Sequence, residues 1–120
     1  MPVKMDSEYG EIEITNDVIA KVVGMATTQN YGVVGMASKN QIRDGISEIL
    51  KIENYTKGVV VRSEADLVIV DVYIMVNYGT KISEICRNVQ RSVKYDLGRQ
   101  LAITANVVNV FVQGIYTEDQ

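Results

Sequence analysis

At 120 residues, 47% apolar and 22% charged, the chain has the size and balance of one globular domain. Its net charge of −3 argues against a general nucleic-acid binder, whose domain would be basic, so no specific nucleic acid is expected as a partner. Histidine is absent and Cys86 is the single cysteine, which removes the commonest general base, a thiolate metal pair and any intrachain disulfide, and suits a reducing cytosol.

Residues 1–9 read as a loose, flexible leader of mixed charge, without the apolar segment of a signal peptide. Residues 10–14, GEIEI, alternate acidic and apolar side chains and predict a short strand with one wet face. Thr15 or Asn16 then serves as helix N-cap, with Asp17 in the first turn. Val18, Ile19, Val22, Val23, Met25 and Ala26 form the apolar stripe of that helix. Gly24 inside it costs roughly 1 kcal/mol against alanine, which a close approach of helix to sheet would explain. The helix stops near Asn30, with Gly32 as its punctuation.

Residues 33–37 read as a second short strand. In residues 39–51, Ile42, Ile46, Ile49 and Leu50 predict a short extra helix, weakened by Gly45 and too short to stand alone. Residues 52–58 form a polar connection. Residues 59–62 and the long run from Leu67 then make a hairpin across a tight turn. That run, 67–79, is the longest apolar stretch. Its even positions, Val68 to Val76, are wholly apolar and predict a face against a helix layer. The odd face carries Asp71 and Tyr73. A strand apolar on both sides belongs in the middle of a sheet. It falls well short of the roughly 20 residues of a membrane-spanning helix, and no transmembrane segment is expected.

Thr80 caps the clearest amphipathic helix, in which Ile82, Ile85, Cys86, Val89, Val93 and Leu97 share one face and Gly98 ends or frays the run. Residues 103–112 give the closing strand, and 116–120 an acidic tail. The expected fold is α+β: one domain over residues 10–115, a small mixed sheet with two main helices packed on one face, plus the short extra helix.

Each candidate site has a bland competitor. Arg87, Arg91 and Lys94 fall at i, i+4 and i+7, a basic stripe that suits an anionic surface, RNA phosphates or an acidic partner. The competing reading is a solvated helix face. Tyr73, Tyr78 and Tyr116 suit interface anchors or ordinary amphipathic packing. Asp71 lacks a catalytic partner in the sequence and reads as a structural carboxylate paired to Lys or Arg. Cys86 reads as a buried, inert thiol. Residues 32–35 lack the Lys-Ser/Thr of a phosphate loop.

Taken together, GEIEI at 10–14, GVVGM at 32–36, Asn77-Tyr78-Gly79 with Ile82, and VVNVFVQGI at 107–115 resemble the alkaline shock protein family of bacterial envelope stress response proteins. The stretches at 37–50, 53–62 and 71–84 resemble its YloU-like branch, and the match runs from about residue 10 to residue 115. One departure is Gln100-Leu101, where many members carry a Thr-Gly turn. The resemblance implies a non-enzymatic cytoplasmic protein of Gram-positive-type bacteria, without cofactor, metal or catalytic residues. It implies self-association and a membrane-anchored or lipid-metabolism protein as partner, since the YloU-like branch is commonly encoded beside a kinase acting on fatty acids. Ile46, Tyr78 and Gly79 are expected at the contact surface, with Arg87, Arg91 and Lys94 as the alternative basic site for RNA or anionic lipid.

Overall fold

A computed structural model describes residues 3–38, 49–50 and 52–117. In chain order these give β1 (Val3–Ser7), β2 (Gly10–Ile14), α1 (Asn16–Thr28), β3 (Val33–Ala37), β4 (Ile49–Leu50), a 3-10 helix (Ile52–Gly58), β5 (Val59–Glu64), β6 (Leu67–Asn77), α2 (Ile82–Leu101) and β7 (Val107–Tyr116). The architecture is the expected α+β type, with both helices against one side of a mixed sheet.

β6 is central and pairs with three neighbours. Its first half pairs antiparallel with β5, and Val76 to Ile74 pair antiparallel with β3 across a bulge. The whole opposite edge pairs parallel with β7, from Ile69↔Val107 to Asn77↔Tyr116. Parallel neighbours need a crossover, and α2 supplies it. Asn106 fixes the register: its side-chain Oδ1 accepts from Val68 N at 2.8 Å, and its own N donates to Val68 O at 2.9 Å.

The alternation of residues 67–77 sorts the two faces as expected. Val70, Val72, Ile74 and Val76 are fully buried beneath the helices, where they meet Ile19 and Val23 of α1 and Ile85, Val89, Val93 and Leu97 of α2. α1 begins at Thr15, whose Oγ1 accepts from Val18 N at 3.4 Å, and so settles the cap between the two candidates. At its other end Asn30 closes the helix. Its Nδ2 donates to the Ala26 and Thr27 carbonyls at 3.1 and 3.2 Å, two of the groups a helix leaves unsatisfied there. Asn30 Oδ1 accepts from Ser92 Oγ at 3.1 Å, tying α1 to α2.

Several expectations need correction. Residues 3–7 are not a loose leader but a strand. Val3 and Met5 alternate with Lys4 and Asp6, and β1 pairs antiparallel with β2 from Val3↔Ile14 to Ser7↔Gly10. Ile49 and Leu50, placed in the extra helix, are a strand on β3; residues 39–48 and 51, over which the rest of that helix is expected, lie outside the described residues. The connection at 52–58 is a 3-10 helix with Tyr55 buried, and Tyr55 explains Gly24. A Cβ on Gly24 would sit 2.8 Å from Tyr55 Cβ, so the close approach is to this turn and not to the sheet. Thr80 is no cap: its Oγ1 donates to Asn77 O at 2.7 Å, and Lys81 stands at the N-cap without a side-chain bond. α2 passes through Gly98 to Leu101 and turns at Ala102, in the left-handed region at φ 55°. The closing strand accordingly starts four residues later than expected, with Ile103 and Ala105 buried in the connection.

Candidate functional site: the β7 edge and its two faces

β7, VVNVFVQGIY, contains no charged residue and no proline. One edge pairs with β6; the other carries no strand among the described residues. An unpaired edge offers a row of N–H and C=O groups to another strand, and charges or proline usually blunt it. Here neither does.

On the sheet face away from the helices, this edge presents Val107 and Phe111 on either side of Asn109. Val107 lies opposite Ile69 and Phe111 opposite Tyr73, and the two rings stack with centroids 4.9 Å apart at 18°. Phe111 stays 41% exposed, and Leu67 and Val107 are similarly open. At the centre of this face Asp71 is only 8% exposed. It accepts from Arg62 Nε and Nη2 at 3.2 and 3.1 Å, and from Asn109 Nδ2 at 2.9 Å. Arg62 also donates to Glu64 at 2.7 Å. These bonds to Asp71 hold the Arg62 guanidinium above its usual range against the loss of water. Asp71 is thus the structural carboxylate the sequence suggests, paired across three strands.

On the helix side of the same edge, Arg87, Gln90, Arg91 and Lys94 of α2 and Val108 of β7 line a groove of about 370 Å³. Gln90 Nε2 donates to the Val108 carbonyl at 2.9 Å and ties helix to strand. Arg91 Nη1 donates to Asn88 at 2.9 Å; among the described residues none of the three cations pairs with a carboxylate. The stripe at i, i+4 and i+7 is therefore one wall of a groove and not only a wet helix face.

The other expected contact residues lie elsewhere. Tyr78 is 75% exposed in the turn after β6, its N donating to Tyr116 O at 3.0 Å. Gly79 adopts φ 87° and lines a second groove with Tyr31, Lys81, Glu84 and Ile85, which shares no residue with the basic one. Ile46 lies outside the described residues. Cys86 is half-buried, and burial pushes its thiol up. Among the described residues no group of acidic and cysteine side chains is placed to hold a metal, and no helix is long and apolar enough to cross a membrane.

Residues 4–117 match the model of the alkaline shock protein 23 family, described as having a cell envelope-related function. The chain belongs to that family. It is 50% identical over 115 residues to the uncharacterized protein YloU of Bacillus subtilis, covering 96% of each chain. It is 51% identical over 115 residues to the uncharacterized protein Spy1614 of Streptococcus pyogenes, covering 96% of this chain and 95% of that one. A more distant relative, the uncharacterized protein YqhY of Bacillus subtilis, is 30% identical over 110 residues, which cover 92% of this chain and 80% of the relative. No solved structure matches. The matched span places the β1–β2 hairpin from Lys4 onward, and β7, inside the family's domain.

Sequence reasoning missed two parts of this surface. The absence of charge over residues 107–116 was a readable signal of a strand edge left without blunting charges. The alternation of Val3, Lys4, Met5 and Asp6 was a readable strand signal.

Proposed function

We propose that this alkaline shock family chain is a non-catalytic interaction module serving the cell envelope and its response to stress. It acts from the cytoplasmic side by associating with its own kind and with a membrane-anchored or lipid-metabolism protein. The observation that carries the reading is the ten-residue uncharged edge of β7, flanked by the exposed Phe111 and Val107. A strand of this kind gains main-chain hydrogen bonds and apolar cover from another strand. The family's envelope-related description and the close similarity to YloU support the setting.

The test is light scattering over a concentration series, for the natural chain and for Phe111→Lys, which places a charge beside the edge. A mass that rises with concentration and falls to the monomer in the variant supports the reading. An unchanged mass in Phe111→Lys refutes the role of this edge. Affinity capture of the native protein with and without membranes then identifies the partner.

A second reading is favoured by the groove itself: three cations without a carboxylate partner among the described residues suit anionic lipid or RNA. Replacing Arg87, Arg91 and Lys94 together by alanine abolishes salt-sensitive retention on anionic vesicles or RNA if that reading holds, and leaves it unaltered otherwise.

A further inference from the structure

Among the described residues, the β1–β2 hairpin pairs chiefly with itself, and only Val3 and Ile14 pack against the core. A two-stranded ribbon alone in water is marginally stable. Its cross-strand pairs sort it into two faces. Val3, Met5, Ile12 and Ile14 share one face; Lys4, Asp6, Glu11 and Glu13 share the other. Val3 and Ile14 lean on the core, but Ile12 is 48% exposed, and Tyr9 at the tip is 93% exposed. The hairpin is acidic: one lysine, Lys4, against Asp6, Glu8, Glu11 and Glu13.

The β7 edge presents the complement. One of its faces adjoins the basic groove of Arg87, Arg91 and Lys94, and the other presents the exposed Val107 and Phe111 on either side of Asn109. A strand laid along that edge has to offer carboxylates on one side and apolar residues on the other. β2, GEIEI, alternates in that way.

We propose that the hairpin of one copy adds to β7 in a second copy, along the edge that carries no strand among the described residues, with Glu11 and Glu13 in the basic groove and Ile12 beside Phe111. The inference rests on the self-association reading above and names its interface. The contact is head-to-tail, because the donating hairpin and the accepting edge are different surfaces. Each copy therefore retains a free end of each kind, and association propagates unless a ring closes.

The test exchanges the charges. Glu11→Lys with Glu13→Lys disables the hairpin; Arg87→Glu with Arg91→Glu disables the groove. Each pair weakens association, followed by light scattering or sedimentation, by roughly tenfold or more, since like charges then face each other. Mixing the two variants, or combining all four changes in one chain, restores association. Recovery on mixing also shows that neither variant has merely misfolded. Association of the natural chain weakens as salt rises. A natural chain that stays monomeric at every concentration overturns the self-association reading itself. A chain that associates equally well with either pair of changes leaves self-association standing and overturns this interface. Loss of retention on phosphatidylglycerol vesicles in the groove variant, with association unchanged, assigns the groove to lipid and likewise overturns it.

Discussion

Replacing Gly32 by alanine sets two separable costs against each other. Gly32 turns the chain from α1 into β3 at φ 92°, outside the range L residues favour, and a left-handed conformation costs a non-glycine residue about 1–2 kcal/mol. An added Cβ would also run into Ile85 Cδ1 and lie 2.9 Å from Ile85 Cγ1, on a buried side chain of α2. Overpacking of this kind costs about 1–3 kcal/mol, so Gly32→Ala destabilises the fold by about 2–5 kcal/mol. The two parts separate in a double-mutant cycle. Ile85→Ala alone costs about 2–5 kcal/mol through the cavity it leaves. In that background the overlap is gone and the backbone term stays, so adding Gly32→Ala costs only about 1–2 kcal/mol. The coupling between the positions is then about 1–3 kcal/mol, with the double variant less damaged than the sum of the singles. The chain has no tryptophan, so urea unfolding is followed by helical circular dichroism. Equal costs of Gly32→Ala in both backgrounds would refute the packing of Ile85 over Gly32.

Ala102 occupies a left-handed position where Leu97 O accepts from Ile103 N at 3.1 Å, a helix ending usually built with glycine. Ala102→Gly relieves about 1–2 kcal/mol of backbone strain and returns about 0.5–1 in chain entropy, so urea unfolding should show a net gain of roughly 0.5–1 kcal/mol. Asn30→Ala opens the last turn of α1 and breaks its link to Ser92, for a loss of about 1–2 kcal/mol by the same assay. Burial raises the Cys86 thiol in the folded chain, so its alkylation at mildly alkaline pH is slower than that of a free thiol and keeps rising with pH after the free thiol has levelled off. The linkage has the same sign: the unfolded thiol loses its proton first, so the stability this group contributes is present at neutral pH and declines as pH rises from the ordinary thiol range through the raised one. A Cys86→Ala variant with an unchanged alkaline decline in stability would place the cause elsewhere.

The central strand and both helices were legible because their periods are long and their apolar faces unbroken. The even positions from Val68 to Val76 are all apolar, and a stripe from Ile85 to Leu97 can hardly be read in another period. What escaped the sequence is tertiary. No local signal says that Leu67–Asn77 takes β7 along one edge and splits the other between β5 and β3. Propensity favours a helix stop at Gly98, yet burial of Leu97 and Leu101's packing against the core carry the helix past it to Ala102. Tyr55 lay in a polar heptapeptide and could be placed in the core only by knowing that Gly24 opens a slot for it. At the surface, the stripe of Arg87, Arg91 and Lys94 was visible from spacing alone. Its meaning was not, because Val108, the opposite wall of its groove, is contributed by a strand on the far side of a crossover.

That crossover also accounts for why the edge and the groove occur together. Two parallel neighbours joined by a helix leave the helix lying over one face of the pair, here with Gln90 bound to the second strand's main chain. The outer strand then borders the helix on one side and the open face of the sheet on the other. β5 and β3 fill the second edge of β6, so β7 stays outermost among the described strands. Sheet proteins commonly protect such a strand with lysine or proline placed in it. In this chain the cations stand on the neighbouring helix and not in β7; in the interface proposed above, they bias the choice of partner toward a strand that carries carboxylates on its helix-facing side. A hydrophobic strand without those carboxylates would leave Arg87, Arg91 and Lys94 facing apolar groups, and an acidic strand without alternation would set charge against Phe111. The arrangement thus selects by pattern as well as by charge, which is how an open edge can be both available and specific.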